Sequence, residues 1–167
     1  MKISILDLEF SSKHFYIQNS SIVEKIIFNN RTFYSKFEEV KTKITPSLLQ
    51  QHLQGEITLA LPLIEEQDRV NYLVIEYHQE DWSQFSYLLK YLLKSLNIDN
   101  YKCYFNSKKM LFQLFIPRDN ISLEKAYREV ENIKHHLELK SKKSYKIYPN
   151  RFLPKNYNII TLPTKKL

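Results

Sequence analysis

Apolar residues recur with two different periods along this chain, and the changes of period mark the predicted elements. Residues 71–77 are almost continuously apolar, which is typical of a buried strand. Two later segments carry apolar residues at helical spacing, and each follows a candidate capping residue, Asp81 or Ser122. Further strands are predicted at residues 101–105, 110–116 and 144–148. Pro117 is predicted to end the second of these, because proline cannot donate to a strand ladder.

The predicted elements between residues 70 and 150 follow the order β-α-β-β-α-β. This order is typical of the ferredoxin-like unit, an antiparallel sheet with two helices on one face. In RNA-recognition domains the opposite face stays open and binds nucleic acid through aromatic side chains. The alternative is that residues 1–64 cover part of that face and the unit is half of a larger fold. The predicted fold class is therefore α+β, with a β-α-β-β-α-β (RRM/ferredoxin-like) core at 70–150.

Residues 1–64 are predicted to form an additional N-terminal α/β unit. Short apolar runs in residues 1–28 favour strands or a short helix. Thr45 followed by Pro46 predicts the start of a helix, and Gly55 predicts its end. A basic C-terminal segment, residues 151–167, follows the core. Together these parts are predicted to make a single domain over residues 1–167.

Composition excludes several classes of site. The chain has one glycine, so neither a G-x-G-x-x-G loop nor a Walker A loop can be written. One cysteine excludes a disulfide framework and a cysteine-based zinc cluster. No apolar run approaches 18 residues, and the start is too short and too acidic for a signal peptide. We therefore predict a cytoplasmic protein without a membrane partner.

Positive charge is concentrated near the end of the chain. The net charge is +7, and the segment from Lys140 onwards holds eight Lys or Arg residues and no Asp or Glu. Such a segment favours a polyanion as partner, although the same lysines also serve solubility. Basic and aromatic residues together are typical of surfaces that bind single-stranded nucleic acid. The candidate contacts are Lys108, Lys109, Lys142, Lys143, Lys146, Tyr148, Arg151, Lys155 and Tyr157.

Five segments in a particular order resemble one known family. They are F-N-N-R-T-F-Y (28–34), I-T-P-S-L-L-Q-Q-H-L-Q-G-E-I-T-L-A-L-P-L (44–63), L-V-I-E-Y-H-Q-E-D-W (73–82), F-N-S-K-K-M-L-F-Q-L-F-I-P (105–117) and I-Y-P-N-R-F-L-P-K-N-Y-N-I-I-T-L-P (147–163). Together they resemble the catalytic core of archaeo-eukaryotic primases, the primase-polymerase superfamily. The similarity is to the branch found in mobile-element, conflict-system and CRISPR-linked primases, whose core also joins an N-terminal unit to a β-α-β-β-α-β sheet.

The departures from this family fall on the positions that carry its chemistry. The resemblance implies a D-x-D pair holding two divalent metals, and here those positions are Glu76 and His78. Histidine is not a normal ligand for Mg²⁺, which prefers oxygen. In the family's S-G-x-G-x-H motif Ser107 remains. Lys108 and Met110 replace the two glycines, and Phe112 replaces the histidine. The resemblance therefore predicts a vestigial or divergent catalytic site.

Three functions stay open at this point. The first is a catalytically degenerate primase-like domain without a cofactor, a subunit that binds single-stranded DNA or RNA or serves as a scaffold. Its partner would be a larger replication, CRISPR or defence protein, such as an active polymerase, primase or reverse transcriptase. The second is a divergent primase that uses Glu76 and His78 with Mn²⁺ or Mg²⁺; the pair could also bind Zn²⁺ or hold no metal. The third is a protein–protein interaction module, in which residues 107–109 form a plain turn.

Overall fold

The computed structural model describes residues 2–167 and has an α+β fold. Its helices are α1 (Pro46–Leu53), α2 (Trp82–Ser95) and α3 (Leu123–Lys140), with 3-10 turns at Glu66–Asp68 and Lys155–Tyr157. The strands are β1 (Lys2–Ile5), β2 (Leu8–Ser11), β3 (Phe15–Gln18), β4 (Glu24–Phe28), β5 (Arg31–Ser35), β6 (Phe37–Val40), β7 (Leu59–Pro62), β8 (Ile64–Glu65), β9 (Arg69–Tyr77), β10 (Lys102–Asn106), β11 (Leu111–Ser122), β12 (Lys146–Tyr148), β13 (Ile159–Thr161) and β14 (Lys165–Lys166). No helix within residues 2–167 has the length and apolar character needed to span a membrane.

The largest sheet has the strand order β12-β9-β11-β10-β14, and its neighbours pair antiparallel. Strand β9 lies near its centre and alternates between two faces. Leu73, Ile75 and Tyr77 point to the face that packs against α2 and α3 and belong to one hydrophobic core. Val74 lies on the opposite face and belongs to a second core. The near-continuous apolar run at 71–77 therefore reflects a strand that is buried on both faces.

The N-terminal strands cover the second face of this sheet. A four-stranded sheet with the order β13-β7-β3-β6 and the β1–β2 hairpin supply one side of the second core. Leu59 and Leu61 of β7 meet Val74 and Phe115 of the large sheet there, all of them fully buried. The open-face expectation is therefore wrong, and the alternative, in which residues 1–64 cover part of the sheet, is the arrangement found.

The helix starts show which capping predictions are right. The Thr45 hydroxyl accepts a hydrogen bond from the Leu48 amide at 3.2 Å, and the Ser122 hydroxyl accepts one from the Lys125 amide at 3.2 Å. Asp81 stands at the start of α2, but its side chain does not cap the helix. The Asp81 carboxylate instead accepts a hydrogen bond from the Tyr77 hydroxyl at 2.6 Å and pairs with Lys143. Asp81 therefore ties α2 to β9 and to the segment before β12.

One prediction about a strand end needs correction. β11 does not stop at Pro117 but continues to Ser122, because the register shifts between Pro117 and Ile121 and such an irregularity tolerates a proline. The basic segment 151–167 takes part in both sheets. Its strand β13 pairs with β7, and its strand β14 pairs with β10, so the segment joins both sheets.

Candidate anion-binding cleft

A cavity of about 500 Å³ lies where the N-terminal strands meet the edge of the large sheet. It is bounded by the β5–β6 connection, the ends of β9 and β12, and the segment that leads into β13. Six candidate residues named from the sequence line it: Glu76, His78, Lys109, Lys146, Tyr148 and Tyr157. These residues are far apart in the chain, so their meeting is a tertiary result. We call this cavity the cleft.

Glu76 lies in the wall of the cleft and is only 6% exposed. Gln113 stands opposite it on β11, and its Nε2 donates to a Glu76 carboxylate oxygen at 2.7 Å and to the Thr161 carbonyl at 2.8 Å. Burial raises the pKa of Glu76 to about 7, although the Gln113 hydrogen bond and the positive charge of Lys146 both oppose the rise. Near neutral pH the side chain therefore exchanges between a neutral acid and a carboxylate.

His78 lines the same cleft but follows the last residue of β9 and is exposed. Desolvation of its ring and the positive charge of Lys146 lower the pKa of His78. Glu76 and His78 therefore both reach the cleft, but from different settings. One is buried within the strand and the other is exposed beyond its end.

These residues do not fit the two-metal centre that the family resemblance implies. Within residues 2–167 there is no group of three or more His, Cys, Asp or Glu side chains placed to hold a metal ion. Three lysines line the cleft with Glu76 and His78, and their positive charge opposes a divalent cation. The donor set of one buried carboxyl and one imidazole is too small for Mg²⁺, which wants several oxygen ligands.

Positive charge dominates the cleft. Lys36, Lys109 and Lys146 line it, and none of them forms an ion pair with any residue in the described part of the chain. Burial and the nearby charges of Lys108 and Lys36 lower the pKa of Lys109, because no acidic group compensates them. Such an arrangement stabilises a bound anion, which would relieve the mutual repulsion of the ammonium groups.

Aromatic side chains supply the rest of the wall. Tyr34, Phe37, Tyr148 and Tyr157 line the cleft, and Phe33 packs edge-on against Tyr157 with ring centroids 6.2 Å apart. The Tyr157 hydroxyl is buried and has no hydrogen-bond partner within residues 2–167. An unpaired buried hydroxyl is costly, so this group is a polar atom of the wall that the described fold leaves unsatisfied.

Two other predicted residues lie at the tip of the β10–β11 hairpin. Ser107 is exposed, and its amide donates to the Thr164 hydroxyl at 3.3 Å, which fits a plain turn. Lys108 lines a second, smaller cavity of about 340 Å³. Lys36 and Lys109 belong to both cavities, so the smaller one continues the cleft. Sequence reasoning missed Lys36, because nothing in the local pattern places it beside residues more than seventy positions away.

Three of the predicted basic contacts are already neutralised. Arg151 pairs with Glu124 at 3.1 Å and with Glu131 at 2.5 Å. Lys155 pairs with Asp68 at 2.6 Å, and Lys143 pairs with Asp81. Lys142, Lys143 and Arg151 line a groove beside α3 that also contains Glu131 and Glu138. This groove adjoins the cleft, because Lys146 and Tyr148 line both. Of the predicted basic contacts, Lys109 and Lys146 therefore line the cleft, whereas Lys143, Arg151 and Lys155 are held in ion pairs.

Comparison with known protein families covers only part of the chain. Residues 1–72 match a family described as a domain of unknown function (DUF1882). The match contains the N-terminal strands, α1 and the beginning of β9, and it stops before Glu76. No curated protein shows significant similarity to the chain. The chemistry of the cleft therefore has to be argued from its own residues.

Proposed function

We propose that this chain is a catalytically degenerate primase-polymerase-like domain that binds single-stranded DNA or RNA in the cleft. It serves as a nucleic-acid-binding or scaffolding subunit beside an active polymerase, primase or reverse transcriptase. One observation carries the proposal. Glu76 and His78, which the resemblance aligns with the family's paired carboxylates, share a cavity with three lysines that form no ion pair within residues 2–167. The sequence resemblance assigns the family's catalytic positions to this cavity, and the lysines give it the charge of an anion-binding site.

The order of the elements supports the comparison with primase cores. The chain passes through β9, α2, β10, β11, α3 and β12, which is the order of an RRM/ferredoxin-like core. In space the last of these strands lies beside the first, and β11 lies between β9 and β10. The N-terminal sheet packs on the face away from α2 and α3 and leaves the cleft at the junction. Fold-level analogy alone does not establish an activity, so the cleft residues carry the argument.

The chemistry of the wall supports the proposed loss of catalysis. A two-metal mechanism needs carboxylates that stay ionised and hold two cations close together. Glu76 is buried and hydrogen-bonded to Gln113, and burial raises its pKa. His78 contributes no negative charge. Histidine at position 78 removes one of the two carboxylates, and lysines line the cavity around the other, Glu76. Such a site favours an anion over a divalent cation.

The same wall suits a nucleotide unit of a single strand. Lysine ammonium groups bind phosphate oxygens as point charges. Tyrosine rings such as Tyr34 and Tyr157 can stack on bases without selecting one base over another. We therefore expect binding that depends on salt and varies little with sequence.

The test is fluorescence anisotropy of labelled dT20 and rU20 at several salt concentrations. The cleft variant is Lys109→Gln/Lys146→Gln. Its matched control is Lys140→Gln/Lys165→Gln, which removes the same charge from two exposed lysines that do not line the cleft. If the cleft lysines each hold one phosphate, the slope of log K against log salt falls by roughly 1.4 in the cleft variant. Equal effects of the two double variants would overturn the assignment to the cleft.

The second arm of this experiment repeats the binding measurement with a divalent metal ion and nucleotide added. The proposal expects binding of dT20 to be unchanged by Mn²⁺ together with nucleoside triphosphates. Metal-dependent tightening, lost in Glu76→Ala, would instead indicate a working nucleotidyltransferase. No binding of either strand at low salt would refute nucleic-acid binding and favour an interaction module.

A further inference from the structure

Helix α2 contains the sequence Tyr-Leu-Leu-Lys twice in succession, at residues 87–90 and 91–94. Because four residues are close to one helical turn, corresponding positions of the two copies fall on the same face. Three of the four leucines are buried in the core beneath the helix, namely Leu89, Leu92 and Leu93. The tyrosines and lysines of both copies point to solvent.

The exposure of the two tyrosines is not explained by the fold. Tyr87 is 78% exposed and Tyr91 is 70% exposed, so neither ring contributes to the hydrophobic core. Isolated exposed apolar residues are ordinary, but two aromatic rings one turn apart on a helix form a surface that can stack on a ligand. The cleft does not include this face, because α2 packs on the other face of the large sheet.

The charge of this face is uniformly positive. Helix α2 has no acidic residue, and neither Lys90 nor Lys94 forms an ion pair within residues 2–167. Each lysine lies three positions after a tyrosine, a separation at which side chains on a helix are neighbours. The face therefore presents two equivalent pairs of ring and ammonium group, repeated at roughly 6 Å along the helix axis.

We propose that this face of α2 is a second binding surface for single-stranded nucleic acid, in which each Tyr-x-x-Lys unit takes one nucleotide. A nucleotide offers one base and one phosphate, which matches one ring and one ammonium group per repeat. An acidic peptide would use the lysines and leave the rings without a specific partner. An anionic membrane surface would favour a helix with a free apolar face, and here that face is buried in the core.

The test uses fluorescein-labelled dT12 and three double variants of exposed residues, in which folding is expected to be preserved. Tyr87→Ala/Tyr91→Ala is expected to weaken binding at least about tenfold, since each stacked base loses its platform. Tyr87→Phe/Tyr91→Phe keeps the rings and is expected to bind within about twofold of the native chain. Lys90→Gln/Lys94→Gln is expected to lower the salt slope by roughly 1.4.

The outcomes separate this surface from the cleft. Each α2 variant is also made in the background of Lys109→Gln/Lys146→Gln. Losses that add in the combined variant support two surfaces. A loss in the cleft variant alone, with Tyr87→Ala/Tyr91→Ala binding normally, overturns the α2 surface and leaves the proposed function intact. No binding of dT12 by the native chain overturns both. If poly-glutamate or anionic phosphatidylserine vesicles bind in a tyrosine-dependent way and dT12 does not, the surface belongs to an acidic protein or a membrane and the proposal fails.

Discussion

Replacing Glu76 by Gln is expected to stabilise the folded chain at neutral and alkaline pH. Glu76 is 6% exposed, and its carboxyl group accepts a hydrogen bond from Gln113. Ionising it in this position is unfavourable, because burial removes water from the charge. A glutamine has nearly the same shape, stays neutral at every pH and can still accept the hydrogen bond from Gln113.

The magnitude follows from the pKa of this group in the two states. Burial raises the pKa of Glu76 from 4.5 to about 7 in the folded chain. Because the folded-state pKa is the higher one, the stabilising contribution is fully present below about pH 4.5 and is lost as the pH rises to about 7. One pKa unit corresponds to about 1.4 kcal/mol, so the total loss is about 3 kcal/mol. Above pH 7 the loss no longer grows.

The assay is urea unfolding followed by circular dichroism at pH 5, 6, 7 and 8 for the native chain and Glu76→Gln. The difference in free energy of unfolding is expected to grow in favour of the variant up to about pH 7 and then to level off. Glu80→Gln is the matched control, since Glu80 is exposed and forms no ion pair within the described residues; its difference should stay flat. Two results would refute the reasoning about burial. One is a difference in free energy of unfolding for Glu76→Gln that does not change with pH, and the other is a Glu76→Gln variant less stable than the native chain at pH 8.

Three further substitutions probe other contacts. Ser122→Ala removes the hydroxyl that caps α3 and is expected to cost about 1 kcal/mol of unfolding free energy in urea. His52→Leu is expected to cost about 2 kcal/mol or more in the same assay, because the buried imidazole bonds the Leu162 carbonyl at 2.8 Å and the Leu59 amide at 3.1 Å. Tyr157→Phe is expected to leave stability unchanged or raise it by up to about 1 kcal/mol, since its buried hydroxyl has no partner within residues 2–167. A clear destabilisation by Tyr157→Phe would show that the hydroxyl is bonded in solution.

Helix starts and most strand positions of the second half could be read from the sequence. Thr45 and Ser122 are short-range signals, because a capping hydroxyl bonds an amide only three residues away. Asp81 shows the limit of such signals. It stands at the predicted position, but the fold brings Tyr77 and Lys143 to its carboxylate, and those contacts replace the cap. The continuation of β11 past Pro117 escaped prediction because the adjacent strand accommodates a register shift there.

The candidate site was predictable only in part. Glu76, His78, Lys109, Lys146, Tyr148 and Tyr157 were candidates from residue type and family resemblance, and the fold brings all of them to one cavity. Lys36 was missed, and Arg151 and Lys155, which were candidate nucleic-acid contacts, form ion pairs in the structure. A count of charges along the chain does not reveal which acidic groups the fold places beside each lysine.

The sequence by itself determined what depends on local spacing: the helical stripes, the caps at Thr45 and Ser122, and a buried strand at 71–77. Tertiary structure alone decided which face of the large sheet is covered, where the last residues pair, and which lysines remain without acidic partners. The physical reason is the distance along the chain over which each kind of interaction acts. Periodicity and capping act over a few residues, whereas burial of Glu76 and neutralisation of Arg151 depend on groups that only folding brings together.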